Sequence, residues 1–238
     1  MLQAKNLVKS YGGRKVVNGL SFEVASAEVV GFLGPNGAGK TTAFYMTVGL
    51  IQPEAGEVFF KNQPITGLPM HKRARMGMGF LAQEPSVFRS LSVEDNILCI
   101  LEGLSLTKEE ERRRLELFLD ELHLKPLRKK KAIHLSGGER RRLEITRALV
   151  TEPTFLLLDE PFANIDPISV HEVKEMIRHL AQKNISILIT DHNAREIFSI
   201  VDRSYIICEG KAIRSGTPQE LMADPVVRQS YLGENFSL

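Results

Sequence analysis

Gly34-Pro35-Asn36-Gly37-Ala38-Gly39-Lys40-Thr41, followed by Thr42 and preceded by the apolar run Val29 to Leu33, is the stretch that decides the fold. A buried strand that empties into a glycine-rich loop and then opens a helix near Thr41 is the setting in which GxxxxGK[ST] binds phosphate. Glycines at 34, 37 and 39 let backbone N–H groups turn inward toward phosphate oxygens, and the helix start adds partial positive charge. Lys40 is placed to reach the β and γ phosphates, and the Thr41 hydroxyl to ligate Mg²⁺. The cofactors expected from this loop are therefore ATP and Mg²⁺.

Working outward, Val16 to Val24 and Val29 to Leu33 read as strands, and Glu57 to Lys61 and Gly79 to Ala82 as a further pair. Near Gln83 the pattern turns helical and stays so to about Val150, which predicts an inserted helical subdomain over 84–150. Within it Thr107 and Glu110 have capping-box spacing, and Leu115, Phe118, Leu119 and Leu122 share one helical face. The β/α alternation then resumes. Phe155 to Leu158 and Ile185 to Thr190 read as buried strands, separated by a helix carrying Val170, Val173, Ile177 and Leu180, a pattern that predicts a mainly parallel sheet. Tyr205 to Cys208 and Lys211 to Arg214 flank Glu209-Gly210, a hairpin signal.

Composition narrows the function classes. The 238 residues, 43% hydrophobic and 25% charged, suffice for a sizeable core, and 31 basic against 29 acidic residues is too balanced for a nucleic-acid footprint. The basic runs Arg128 to Lys131 and Arg140 to Arg142 lack interleaved aromatics and read as a solvated face. Cys99 and Cys208 suggest neither a disulfide framework nor a zinc site and fit a reducing cytosol. Met1 to Tyr11 lacks the apolar stretch of a signal peptide, and no apolar run approaches the roughly 20 residues needed to span a bilayer. Any membrane role must come through partners.

The second phosphate-chemistry motif is Phe155-Leu-Leu-Leu-Asp159-Glu160, where a buried strand holds carboxylates rigidly at its C-terminal edge. Asp159 is expected to organise Mg²⁺, and Glu160 to polarise the attacking water as general base. A third motif, Leu135-Ser136-Gly137-Gly138-Glu139, resembles the LSGGQ signature of the ABC (ATP-binding cassette) ATPases, with Glu139 in place of the commoner Gln. Ser136 can cap a helix there, and the two glycines leave backbone N–H groups accessible.

The resemblance covers essentially the whole chain. It implies an α/β fold: a P-loop NTPase of the ABC ATPase type, one domain over 1–238, with a mainly parallel core sheet, an antiparallel β subdomain and the helical subdomain inserted at 84–150. It implies a head-to-tail homodimer in which the signature, Ser136 to Glu139, acts in trans on the partner's ATP. Tyr11 then corresponds to the aromatic that stacks on adenine, the alternative being a strand-end core tyrosine. Gln83 corresponds to the glutamine that senses Mg²⁺ and the attacking water, His192 to the histidine that contacts γ-phosphate and orients Glu160, and Asp166 to the loop that meets the partner. Asn164 is unusual where the family has a small residue. Ser86, Val87, Phe88 and Arg89 should border the groove that receives a membrane partner, although Phe88 reads equally as core.

At finer grain the chain resembles the ATPases that power lipopolysaccharide export. Ser136-Gly-Gly-Glu-Arg-Arg-Arg142, Asp159-Glu-Pro-Phe-Ala163, Asp166-Pro-Ile-Ser-Val170, Thr190-Asp-His-Asn-Ala-Arg-Glu196 and Tyr231-Leu-Gly-Glu-Asn-Phe236 carry that likeness. It implies two transmembrane permease partners, no nucleic acid, and a place on the cytoplasmic face of a bacterial inner membrane. ATPases of branched-chain amino-acid uptake look similar, and a soluble ABC protein acting on nucleic acid or ribosomes is a rival from another class.

Overall fold

The computed structural model describes residues 2–236, so the outermost residues of the expected 1–238 domain lie outside the described residues. A six-stranded sheet forms the centre in the order β10-β9-β3-β8-β7-β6. Its members are β3 (Val29–Leu33), β6 (Met78–Leu81), β7 (Phe155–Asp159), β8 (Ser186–Thr190), β9 (Arg203–Cys208) and β10 (Lys211–Gly216). Every neighbouring pair is parallel except β9–β10, the antiparallel hairpin expected around Glu209-Gly210.

A second, antiparallel sheet runs β2-β1-β4-β5, from β1 (Leu2–Tyr11), β2 (Arg14–Val24), β4 (Ala55–Phe60) and β5 (Gln63–Pro64). β1, which pairs with both β2 and β4, carries no strand signal strong enough to stand out: Lys5, Asn6 and Lys9 interrupt its apolar positions, and its register shifts three times along β2.

Both faces of the central sheet are covered, which is why its strands read as unbroken apolar runs. Val30, Phe32, Phe155, Leu157 and Leu188 pack with Leu2, Leu7, Leu20 and Phe22 of the antiparallel sheet and with Phe44 of α1 (Lys40–Val48). Phe22 meets Phe32 edge-on at 4.6 Å between ring centroids. The opposite residues, Leu33, Leu156, Leu158, Ile187 and Ile189, belong to a second core with the remaining long helices. Those are α3 (Val93–Leu101), α4 (Lys108–Glu121), α5 (Gly137–Leu149) and α6 (Pro167–Gln182), while α2 (Met70–Arg75), α7 (Ala194–Phe198), α8 (Pro218–Ala223) and α9 (Pro225–Val227) are short.

Local sequence explains most helix starts. Ser92, Ser136 and Thr217 each form a full capping box, and Asp166 caps α6. At α4 only half of the predicted box forms: Thr107 accepts from the Glu110 amide, but the Glu110 carboxylate turns to Arg113 and Arg114 instead. Those guanidiniums hold that carboxyl down at about 2. No helix among the described residues is long and apolar enough to cross a membrane.

Candidate active site

The strand-to-helix turn from β3 to α1 carries the phosphate loop, and two of its glycines are fixed by close approach. Gly39, the N-cap of α1, has φ +98°, and a Cβ there would lie 2.4 Å from the Val16 carbonyl oxygen. A Cβ on Gly34 would lie 2.0 Å from the Ile207 carbonyl oxygen. Lys40 Nζ bonds the loop's own carbonyls, Gly34 O at 2.6 Å and Pro35 O at 3.0 Å. Burial lowers the Lys40 pKa, and Glu160, Asp159 and Asp191 partly oppose that shift. Tyr11 is 47% exposed at the tip of the β1–β2 hairpin, so the core alternative is excluded; the Lys9 ammonium lies over its ring, 5.8 Å from the centroid.

The parallel strands β7 and β8 end side by side and deliver the carboxylates. Asp159, the last residue of β7, is fully buried, and neither of its carboxylate oxygens has a hydrogen-bond partner. Burial, reinforced by Glu160, pushes its pKa up to about 6 against Arg141 and Lys40. A buried carboxylate with both oxygens orphaned fits a hard cation such as Mg²⁺. Glu160 follows with φ +47°, a left-handed backbone that non-glycine residues rarely adopt. Its N–H donates to the Thr190 carbonyl of β8 at 2.8 Å.

Around Glu160 the structure brings together residues far apart in sequence. Gln83 Nε2 donates to Glu160 Oε2 at 2.7 Å, and His192 Nδ1 lies 3.9 Å from the same oxygen. The adjoining Asp191 is fully buried, accepts from the amides of Phe162 and Asn193, and has its pKa raised by burial. Gln83 and His192 thus converge on the Glu160 carboxylate, His192 Nδ1 lying also 3.4 Å from Asp191 Oδ1, an arrangement able to hold and polarise a water molecule.

The signature residues lie at the start of α5, where Ser136 caps the helix. The Glu139 carboxylate is turned back on its own helix, accepting from the Ser136 amide at 2.8 Å and from Lys130 Nζ at 2.9 Å. Burial disfavours its charge, but Lys130 and the Ser136 amide outweigh burial and keep the carboxyl below its ordinary range. Gly138 is buried, and a Cβ there would lie 2.1 Å from Ser169 Oγ, so α5 and α6 require glycine in order to meet. Gly137 abuts the Asn164–Ile165 segment, where Asn164 has φ +58°; asparagine tolerates that conformation, which accounts for its presence.

Asp166 also spends its side chain internally, accepting from the amides of Ile168 and Ser169 and from the Ser169 hydroxyl. The exposed apolar group of that segment is Ile168, 76% accessible, which sequence reasoning missed. Phe88 is 50% exposed rather than core, its loop held by two hydrogen bonds to the buried Asn96. The Arg147 guanidinium stacks 4.9 Å from the Phe88 ring centroid and donates to the Ser86 carbonyl. Arg89 is exposed beside it, whereas Val87, expected at the groove, is buried in the core.

The basic runs are only in part the solvated face expected of them: Lys129 and Lys131 are exposed, while the arginines are drawn into ion pairs or the interior. Arg128 pairs with Glu94 and Glu116, Lys129 with Glu94, and Arg142 with Glu172. Arg141 is buried altogether. Its neighbours in sequence are also charged, so nothing in the local pattern marks it; only the i, i+3 carboxylate Glu144 hints at a partner.

Comparison with known proteins agrees with this geometry. Residues 17–163 match the ABC transporter family. The chain is 57% identical over 238 residues to the lipopolysaccharide export system ATP-binding protein LptB of Acidithiobacillus ferridurans, covering 100% of this chain and 99% of the relative. It is 50% identical, with the same coverage, to the protein of that name in Escherichia coli strain K12. Among solved structures, a nucleotide-free ATP-binding cassette from an ABC transporter superposes with a TM-score of 0.89 at 29% identity, over 98% of this chain and 99% of that one. With the phosphate loop, the paired carboxylates and the signature helix each in place, the chain belongs to the ABC transporter family, as one of its ATPase cassettes.

Proposed function

We propose that the chain is the ATP-hydrolysing subunit of a lipopolysaccharide exporter, working as a homodimer beneath two transmembrane permease subunits at the cytoplasmic face of the inner membrane. The observation that carries the hydrolytic part is the convergence of Gln83 and His192 on Glu160, next to the orphaned carboxylate of Asp159. The cargo rests on full-length similarity to relatives named for lipopolysaccharide export.

In this reading Tyr11 stacks on adenine, and the loop Gly34 to Thr42 wraps the phosphates, with Lys40 on the β and γ groups. Thr41, Asp159 and Gln83 hold Mg²⁺, which when bound neutralises phosphate charge. Glu160 takes the proton of the attacking water, oriented by His192 and Gln83. Ser136, Gly137, Gly138 and Glu139 act across the dimer on the partner's nucleotide, Glu139 through its cap on the helix rather than by direct contact. Asp166 shapes the partner-facing loop and presents Ile168. Residues 84–150 act as a helical subdomain, with Phe88 and Arg89 at the docking groove for the membrane partner. Loss of the γ-phosphate on hydrolysis releases the contacts that hold the dimer closed.

The test is purification from the native membrane in mild detergent, with identification of the accompanying proteins. Two lipopolysaccharide-export permeases support the proposal. Branched-chain amino-acid permeases replace the cargo but keep the ATPase, and ribosomal or DNA-repair partners overturn the transporter reading. In the same complex, Glu160→Gln is expected to lower turnover by about 10²-fold or more while ATP still binds.

A further inference from the structure

Arg141 is only 5% exposed, in the second turn of α5, and each of its five N–H bonds has an acceptor. Nε donates to the Pro161 carbonyl at 3.0 Å, and Nη2 to the carbonyls of Asp159 and Glu160 at 3.2 and 2.6 Å. Nη1 donates to the Ala82 carbonyl at 3.3 Å and to the Glu144 carboxylate at 2.8 Å. One rigid fork therefore fixes three consecutive carbonyls leaving β7, and the residue just before Gln83, relative to the helix that begins at Ser136. A lysine has no planar fork and fewer donors to do this.

The segment it holds needs holding. Glu160 has φ +47°, a conformation that costs a non-glycine residue about 1–2 kcal/mol and persists only where surroundings impose it. Its N–H is tied to Thr190, and its carbonyl receives the shortest of the Arg141 bonds. The peptide orientation set by these two bonds aims the Glu160 carboxylate at Gln83, whose own loop Arg141 also touches through Ala82.

We propose that Arg141 is a positioning residue for hydrolysis: it locks the Glu160 peptide in its left-handed conformation and ties the general base and the Gln83 loop to the signature helix. This rests on the assignment of Glu160 as general base made above. Arg141 has no N–H free for phosphate, so it acts through Glu160 and Gln83. A shift of α5 therefore moves the base, and the same helix start that is offered to the partner's nucleotide governs the chain's own hydrolytic geometry.

The experiment compares wild type, Arg141→Lys, Arg141→Gln, Glu160→Gln and the double variant Arg141→Lys/Glu160→Gln in the intact complex with its membrane partners. Turnover is divided by the number of MgATP-binding sites titrated in each sample, so misfolded protein does not count. For Arg141→Lys, kcat per site is expected to fall about 10²-fold with KM for MgATP changed less than about threefold, the signature of a misplaced catalytic group. Arg141→Gln, shorter and uncharged, serves if lysine strains the packing, with the same expectation. Acting through Glu160 predicts non-additivity: in the Glu160→Gln background the Arg141→Lys change should alter residual turnover less than about threefold. Wild-type kcat per site in the single variants, or a full additional loss in the double variant, overturns the proposal while leaving the base assignment intact. Wild-type turnover in Glu160→Gln overturns the base assignment and the positioning role with it.

Discussion

Asp159 is a carboxylate that destabilises the protein it serves, and replacing it should demonstrate this. Its pKa rises from 3.8 to about 6 on folding because burial disfavours its charge. The difference between 3.8 and about 6, at roughly 1.36 kcal/mol per pH unit, amounts to about 3 kcal/mol. The sign follows from the raised value. Below pH 3.8 the group is protonated in both folded and unfolded chains and costs nothing; the penalty grows as pH rises toward about 6 and is fully present above it.

Asp159→Asn, nearly isosteric and uncharged, should therefore be more stable than wild type by up to about 3 kcal/mol at pH 8 in EDTA, a gain in Tm of up to roughly 6–12 °C for a chain of this size. The advantage should shrink through pH 5 and vanish near pH 4. Mg²⁺ should stabilise wild type and not the variant, and the variant should lose hydrolysis. Urea denaturation across pH 4 to 8, paired with turnover, measures all of this. A variant that is no more stable at pH 8, or whose advantage is the same at every pH, refutes the account of Asp159 as an orphaned charge awaiting a cation.

Gly138→Ala drives a methyl into Ser169 and should cost about 1–3 kcal/mol in urea denaturation, partly recovered by Ser169→Gly; no loss would mean that α5 and α6 are free to separate. Arg73 is a buried guanidinium bonded to the carbonyls of Met46, Thr47, Thr66 and Leu68, with no carboxylate beside it, and burial lowers its pKa to about 10. Arg73→Met leaves those carbonyls unpaired at the end of α1 and should cost about 3–5 kcal/mol, read from the shift in urea midpoint; a cost below about 1 kcal/mol would show that water replaces it. Phe88→Ala should reduce recovery of the membrane partners with the tagged chain by about tenfold while Tm moves little, because the ring is half exposed. Undiminished recovery would place the docking contact elsewhere.

Much of this protein was legible residue by residue. The β3 strand, the phosphate loop and α1 follow from local chemistry, since β3 is an unbroken apolar run and Gly39 takes the left-handed φ at which the loop gives way to the helix. The central strands were legible because both of their faces are buried, which leaves unbroken apolar runs. β1 was not, because it lies in the antiparallel sheet with polar residues among its apolar ones, and its pairing with β2 and β4 is a long-range choice.

The assignments that depended on which way a side chain turns needed the tertiary structure. Glu139 and Asp166 spend their carboxylates on caps formed within three residues, which local spacing can indicate, but only the folded neighbourhood shows Lys130 closing on Glu139 and Ile168 left exposed. Phe88 and Val87 are adjacent apolar residues in one loop, and the hydrogen bonds from Asn96 decide that one faces solvent and the other the core. Arg141 is the sharpest case. In sequence it is the middle of three arginines, and in the fold it is the buried fork on which the ends of β6, β7 and α5 converge. Motifs are visible in sequence because backbone and phosphate chemistry constrain neighbouring positions. A buried charge is not, because its acceptors are carbonyls of residues distant in the chain, and every residue has a carbonyl.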